Sequence, residues 1–155
     1  MEKTNVMRIL DQKKIKYDSY YYGDTDAISG VEVATVLKQD FNQVFKTLIT
    51  ISNSKKNYVF MIPVALELDL KKCAKAVSEK SLSMILSKEL LGVTGYIHGG
   101  CSPIGLKKQF PIIIDNKAKN FSSIIFSAGK IGYQVQVALA DLENILPIQY
   151  ADITE

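Results

Sequence analysis

The lysine at position 46 stands in surroundings that do not suit a charge. Residues 44–52, VFKTLITIS, are rich in β-branched and apolar side chains, and a strand's two-residue alternation puts Lys46 on one face with Val44, Leu48 and Thr50. A lysine so placed carries its amine out to water along a packed stem, meets an anion, or accepts a lowered pKa. Burial alone does not choose between a stem packed at a sheet edge and a cation reaching into a cleft. The second candidate is the Gly99-Gly100 step ahead of Cys101-Ser102-Pro103. Glycine admits positive φ and lets backbone come close to a ligand. Consecutive amides there can converge on a carbonyl oxygen as an oxyanion hole, or simply make a tight turn between a helix and a strand.

Other constellations do not assemble. His98 has no neighbouring serine or carboxylate to complete a triad, and no base lies near Cys101 in the sequence to lower its pKa. Asp24 and Asp26 flank a turn and read as loop solvation. There is no phosphate-binding or dinucleotide fingerprint. Cys73 and Cys101 form no CxxC pair, and with a single histidine there is no zinc spacing, so no metal and no cofactor are expected. No apolar run approaches the roughly 18 residues that cross a bilayer. The longest, 58–66, is broken by Pro63, and Met1-Glu2-Lys3-Thr4 leads into no apolar leader. Two reduced thiols in a cytoplasmic protein is the expectation.

The net charge of +3 is too small to establish a nucleic-acid partner. Arg8 is the only arginine, and the remaining basic residues are lysines. Lysine meets phosphate as a flexible point charge without arginine's planar fork. Any RNA contact is therefore expected to be backbone-directed and salt-sensitive, with little reading of bases. The same lysines, among them Lys71, Lys72, Lys75, Lys107, Lys108 and Lys130, serve equally as a solvated surface.

The elements that must position these residues can be read along the chain. A length of 155 residues with 47% hydrophobic and 23% charged side chains suits one domain with a core that needs no staples. Thr4 caps a helix through about Lys13, with Val6, Ile9 and Leu10 inward. Residues 17–22 read as a strand. Ser29 followed by Glu32 is a capping box, and it opens a helix through Lys38 with Val33, Ala34 and Leu37 inward. Residues 44–52 and 57–64 flank a polar turn as a hairpin, the second strand apolar on both faces like a covered central strand. Asp69 caps a lysine-rich helix through Val77, and Ser87 is expected to cap a shorter one to Leu91. The glycine-rich stretch 92–105 follows as a structured loop. Strands are expected at 111–115, 122–127 and 133–137, then a short helix at 139–146. The reading is one α+β domain, residues 1–155, around a mixed sheet.

Six segments in this order resemble the YbaK/EbsC family: FKTLI (45–49), LDLKKCAKAV (68–77), TGYIHGGCSPIGLKKQFP (94–111), IIID (112–115), FSAGKIG (126–132) and ADL (140–142). That family deacylates Cys-tRNA(Pro) and Cys-tRNA(Cys) and is similar to the editing domain inserted in bacterial prolyl-tRNA synthetases. The resemblance implies a mostly antiparallel, barrel-like mixed sheet with flanking helices. It places the family's conserved lysine on Lys46, followed by Thr47, and its pocket tyrosine on Tyr22, with Tyr20 and Tyr21 close by. The loop facing the substrate carbonyl falls on Gly99 and Gly100, and the SGGK turn on Ser127-Ala128-Gly129-Lys130. The chain departs from the family pattern at Cys101, where isoleucine is common, and at Ala128, where glycine is common. Gln134 and Gln136 stand where some members carry acids.

The resemblance implies a trans-editing hydrolase without a protein nucleophile. The cysteine thiol of the substrate attacks its own carbonyl, releasing a cyclic thiolactone and free tRNA, and proximity within one molecule supplies much of the rate. Mischarged tRNA is then the partner, with prolyl-tRNA synthetase as the source of tRNA choice. Two alternatives are an Ala-tRNA(Pro) editing deacylase and a non-catalytic tRNA- or nucleotide-binding module that kept the fold. Departures at Ala128, Gln134 and Gln136 favour the second of these; Lys46 beside an intact glycine loop opposes it.

Overall fold

A computed structural model describes residues 2–155. The chain runs α1 (Asn5–Gln12), β1 (Tyr17–Tyr21), α2 (Gly30–Val36), β2 (Phe45–Ser52), β3 (Asn57–Pro63), α3 (Leu70–Ala76), β4 (Leu82–Met84), α4 (Ser87–Thr94), β5 (Ile112–Asp115), a 3-10 turn (Asn116–Asn120), β6 (Ser123–Ser127), β7 (Tyr133–Ala138), α5 (Leu139–Ile145) and β8 (Ile148–Ala151). The architecture is α+β, as expected, but the strands form two sheets. One has three antiparallel strands in the order β1-β7-β6, and the other five in the order β4-β2-β3-β5-β8. In the larger sheet β2 pairs antiparallel with β3 and β4, while β3/β5 and β5/β8 run parallel.

The expected barrel-like closure does not form. A barrel needs every strand laddered to its neighbour around the ring. Here the sheets meet through one isolated parallel bridge, Val44 to Ile125, and β1 and β8 are each an end of a different sheet. The main core lies between the sheets. Phe45, Ile49, Met61, Ile112 and Ile114 of the larger sheet pack with Phe126, Val135 and Val137 of the smaller one, and Val6, Met7 and Leu10 of α1 join them. The opposite face of the larger sheet presents Tyr58, Phe60, Ile62 and Ile113 to Cys73 and Ala74 of α3. β3 is thus the covered central strand its composition foretells, buried on both faces.

Local signals explain most helix ends. Thr4 accepts a hydrogen bond from Met7 N–H at 3.3 Å, and Asp69 caps α3 by accepting from Lys71 and Lys72. Both halves of the Ser29/Glu32 capping box are present. Ser87, expected as a cap, is instead the first residue of α4, which has no side-chain cap and runs on to Thr94. Its stop is Gly95 at φ 84°, where a left-handed residue lets the chain turn away. After α2 the left-handed residue is Lys38 at φ 55°, one place beyond the Leu37 cap and strained for a residue with a Cβ. Lys38→Gly is therefore expected to raise stability by about 0.5–1 kcal/mol, read as a higher urea midpoint at unchanged slope.

The buried carboxylate of Asp115, fully shielded from solvent, ties the end of β5 to the segment after β8. One oxygen accepts from Ile153 N–H at 3.1 Å, and the other from Lys117 N–H at 3.0 Å and the Lys117 ammonium at 3.5 Å. That ammonium also reaches Thr154 Oγ1 at 2.9 Å.

Candidate active site

Lys46 lies opposite Ile62 in the β2/β3 ladder, half-buried, and it forms no ion pair among the described residues. It lines a pocket of about 690 Å³ together with Tyr22, Thr47, Gly99 and Ser127. Gly100 and Gly129 do not line it. A second, more open hollow of about 710 Å³ lies along β1 and β7, lined by Asp11, Lys16, Tyr17 and Gln136, and holds none of the expected site residues.

The pocket runs along the edge of β2. Its wall includes every residue from Val44 to Ile49 in succession. Neighbouring side chains on a strand point to opposite faces, so unbroken lining arises only where a hollow meets the strand edge-on. The register explains the opening. β4 pairs with β2 only at Thr50–Ser52, and β6 touches it only through the bridge at Val44. Between them the edge is uncovered. Lys46 approaches the gap from one face of the sheet and Thr47 from the other. The Thr47 hydroxyl is buried without a hydrogen-bond partner, a state that typically costs about 1–3 kcal/mol.

The glycine loop contributes one exposed and one buried residue. Gly99 is exposed, adopts φ 87° and faces the pocket; a Cβ there would lie 3.7 Å from Ile131. Gly100 is buried, and its N–H is committed to the Ile97 carbonyl at 3.0 Å. It therefore closes the turn that presents Gly99. Gly129 plays a comparable supporting part. Its N–H donates to Ser127 Oγ at 3.1 Å, its φ is 86°, and an added Cβ would come within 2.9 Å of Tyr96 and Val6. Of the three consecutive tyrosines, Tyr22 is buried at the pocket, Tyr21 packs against Tyr133 with the rings tilted by 50°, and the Tyr20 hydroxyl donates to Gln136 at 2.6 Å.

One of the departures from the family pattern stands in the pocket wall, held by a partner, Gln39, that the sequence did not mark. Gln134, only 5% exposed, lines the pocket and accepts a hydrogen bond from Gln39 Nε2 at 2.8 Å across 95 residues of chain. The Gln39 side-chain oxygen, Oε1, is buried without a partner. No spacing rule links the two glutamines; only the packing of α2 on the smaller sheet brings them together.

Protein nucleophiles are poorly served here. Burial pushes the Cys101 thiol up to about 12, and the same cause takes the buried Cys73 thiol to about 12, so neither supplies thiolate near neutrality. His98 is exposed at the pocket and hydrogen-bonds no hydroxyl or carboxylate among the described residues. No group of three or more metal-ligating side chains occurs among the described residues. No described helix is long and apolar enough to cross a membrane. Of the lysines considered for phosphate contact, Lys72 pairs with Asp152 at 3.1 Å and Lys130 with Glu2.

Residues 25–145 match the family model described as an aminoacyl-tRNA editing domain. A protein of Enterococcus faecalis (strain ATCC 700802 / V583), EbsC, named provisionally as a Cys-tRNA(Pro)/Cys-tRNA(Cys) deacylase, is 44% identical over 154 residues, covering 99% of this chain and 94% of its own. Among solved structures, one described provisionally as a trans-editing enzyme for prolyl-tRNA synthetase superposes with a TM-score of 0.83 at 20% identity, covering 100% of this chain and 99% of that one. The hypothetical protein APE2540 superposes with a TM-score of 0.88 at 18% identity, over 98% and 100% of the two chains. At those identities the structures speak for the fold.

Proposed function

The chain belongs to the family of aminoacyl-tRNA editing domains, and from that premise we propose that it deacylates mischarged tRNA in trans, with Cys-tRNA(Pro) as its substrate. The observation that carries the reading is the single pocket lined by Lys46, Thr47, Gly99 and Ser127 along the open edge of β2. Residues 1–155 act as one editing unit. The scissile bond is the ester between the amino acid and the terminal ribose, and the pocket orients it.

The Lys46 ammonium holds phosphate or ribose oxygens of the terminal nucleotide. The Gly99 N–H faces the acyl oxygen as negative charge develops there, while Gly100 fixes the turn through its bond to Ile97. Tyr22, Ser127 and the Gly129 turn shape the pocket around the acyl group. The attacking atom is the substrate's own sulfur. It bonds to the carbonyl carbon as the bond to the ribose oxygen breaks. The thiol proton leaves sulfur, and the departing oxygen is protonated. The raised pKa of the Cys101 thiol, the one protein thiol in the pocket lining, is in keeping with this division of labour, since no protein thiolate competes there near neutrality.

A thiol requirement also supplies selectivity. A pocket separates side chains one methylene apart by only about 1–3 kcal/mol, whereas an alanyl or seryl ester has no sulfur to attack with. Turnover of Cys-tRNA(Pro), Ser-tRNA(Pro) and Ala-tRNA(Pro) tests this directly: the cysteinyl ester is expected to be cleaved fast and the others slowly. Fast cleavage of Ala-tRNA(Pro) would assign an alanine-editing role, and tight binding of Cys-tRNA(Pro) without cleavage would make the chain a non-catalytic module. The pocket is small beside a whole tRNA, so the reading includes prolyl-tRNA synthetase as the partner that supplies tRNA choice, in the cytoplasm where charging occurs.

A further inference from the structure

The main chain of β2 alternates as strictly as its side chains. Val64 N–H donates to the Val44 carbonyl at 2.9 Å, and Ser52 N–H donates to Lys56 at 2.9 Å, so the even-numbered residues of this strand turn their peptide groups toward β3. The odd-numbered residues turn theirs the other way. The Gln43 carbonyl accepts from Ile125 N–H at 3.0 Å, and the Ile49 carbonyl from Ile85 N–H at 3.1 Å. Thr47 is an odd-numbered residue between those two anchors. Its N–H and C=O therefore face the stretch of edge that neither β6 nor β4 covers, which is the edge the pocket occupies.

An aminoacyl ester has the covalent order of one peptide residue: a nitrogen, an α-carbon and a carbonyl. Two residues opposed in an antiparallel ladder exchange a pair of N–H···O bonds. A single aminoacyl group can make both bonds with one residue of an open edge, as extended peptides do when they add a strand to a sheet. We propose that the aminoacyl group docks against Thr47 as a one-residue strand. Its α-amino group donates to the Thr47 carbonyl, and its acyl oxygen accepts from the Thr47 N–H on one side and from Gly99 on the other. The inference rests on the editing function proposed above and specifies how that substrate is held.

Recognition of this kind reads the part that all aminoacyl groups share. It leaves choice of side chain to the pocket walls and to the chemistry of the substrate's own sulfur. On this docking mode Gln134 is not called on to pair with the α-amino group. With the α-amino group bound to a peptide carbonyl, a neutral side chain on that wall suffices.

The test separates docking from catalysis. Binding is measured by calorimetry with an uncleavable analogue, 3′-cysteinylamino-3′-deoxyadenosine, and with its counterpart lacking the α-amino group. The deamino analogue is expected to bind about 10-fold or more weakly. Equal affinity for the two, or binding of neither, overturns the proposal. Replacing Thr47 by its α-hydroxy acid through semisynthesis removes the edge-facing N–H, which no β3 ladder bond uses, and also makes the Lys46 carbonyl, which faces Ile62 in that ladder, a weaker ester acceptor. That variant is expected to fold with a modestly lower urea midpoint and, where fully folded, to bind the cysteinyl analogue several-fold more weakly; undiminished affinity overturns the docking. Turnover of Cys-tRNA(Pro) by the unmodified protein is scored separately, so amine-dependent binding without turnover would sink the editing function and leave the docking mode standing.

Discussion

Lys46→Ala is expected to lower kcat/KM for Cys-tRNA(Pro) by a factor of ~100–1000, the range that follows when one preorganised polar contact to the reacting end of a substrate is lost. The fold should survive, because Lys46 is half-buried and forms no ion pair among the described residues. Alanine also removes a packed aliphatic stem, so Lys46→Met supplies the control. Methionine keeps the stem and discards the charge. If the ammonium holds the terminal nucleotide, the methionine variant loses as much activity as the alanine variant and shows a shallower dependence on salt. The expected change corresponds to about one fewer ion released, a slope difference of roughly 0.7 on a log–log plot for single-stranded contacts. Wild-type turnover by Lys46→Met would remove the charge from the mechanism.

The largest expected effect on stability lies away from the pocket, at Asp115. Asp115→Ala strips the acceptor from two main-chain N–H groups and from the Lys117 ammonium at once. Truncating a buried, hydrogen-bonded charge typically costs about 3–5 kcal/mol. For a chain of this size that is roughly 6–20 °C in Tm. Asp115→Asn keeps one oxygen and should lose less. Paired thermal unfolding of the two variants checks the ordering. A fall of under about 1 kcal/mol for the alanine variant would mean that Ile153 and Lys117 find other acceptors.

Signals carried within a few residues were legible in the sequence, and contacts made across the chain were not. Thr4, Ser29 with Glu32, and Asp69 announce helix starts because each cap is completed within three residues. The burial of β3 was legible because both of its faces are apolar. By contrast β4 has only three residues, Leu-Ser-Met, too few to show an alternation, and it exists because β2 offers it an edge. β8 follows Pro147 and is a strand because β5 lies parallel beside it. Ser87 looked like a cap, but capping is decided by where the backbone turns, and the turn falls one residue earlier, at Leu86. At the site, an out-of-place charge marked Lys46, whereas the separate duties of Gly99 and Gly100 depend on where each amide points. The uncovered edge is a gap between two partners, and a gap leaves no trace in the residues that border it.

The parallel neighbours of β5 bear on how the chain is made. Its outer edge is closed by β8, which ends at Ala151, about 36 residues after β5 ends at Asp115. At 5–20 residues per second, a nascent chain waits roughly 2–7 s between delivering Ile112–Ile114 and delivering the strand that shields them. During that interval an isoleucine-rich row offers unpaired peptide groups to any passing strand. A chain truncated before Ile148 would make the exposure permanent, yielding aggregates from a polypeptide that already holds every pocket residue.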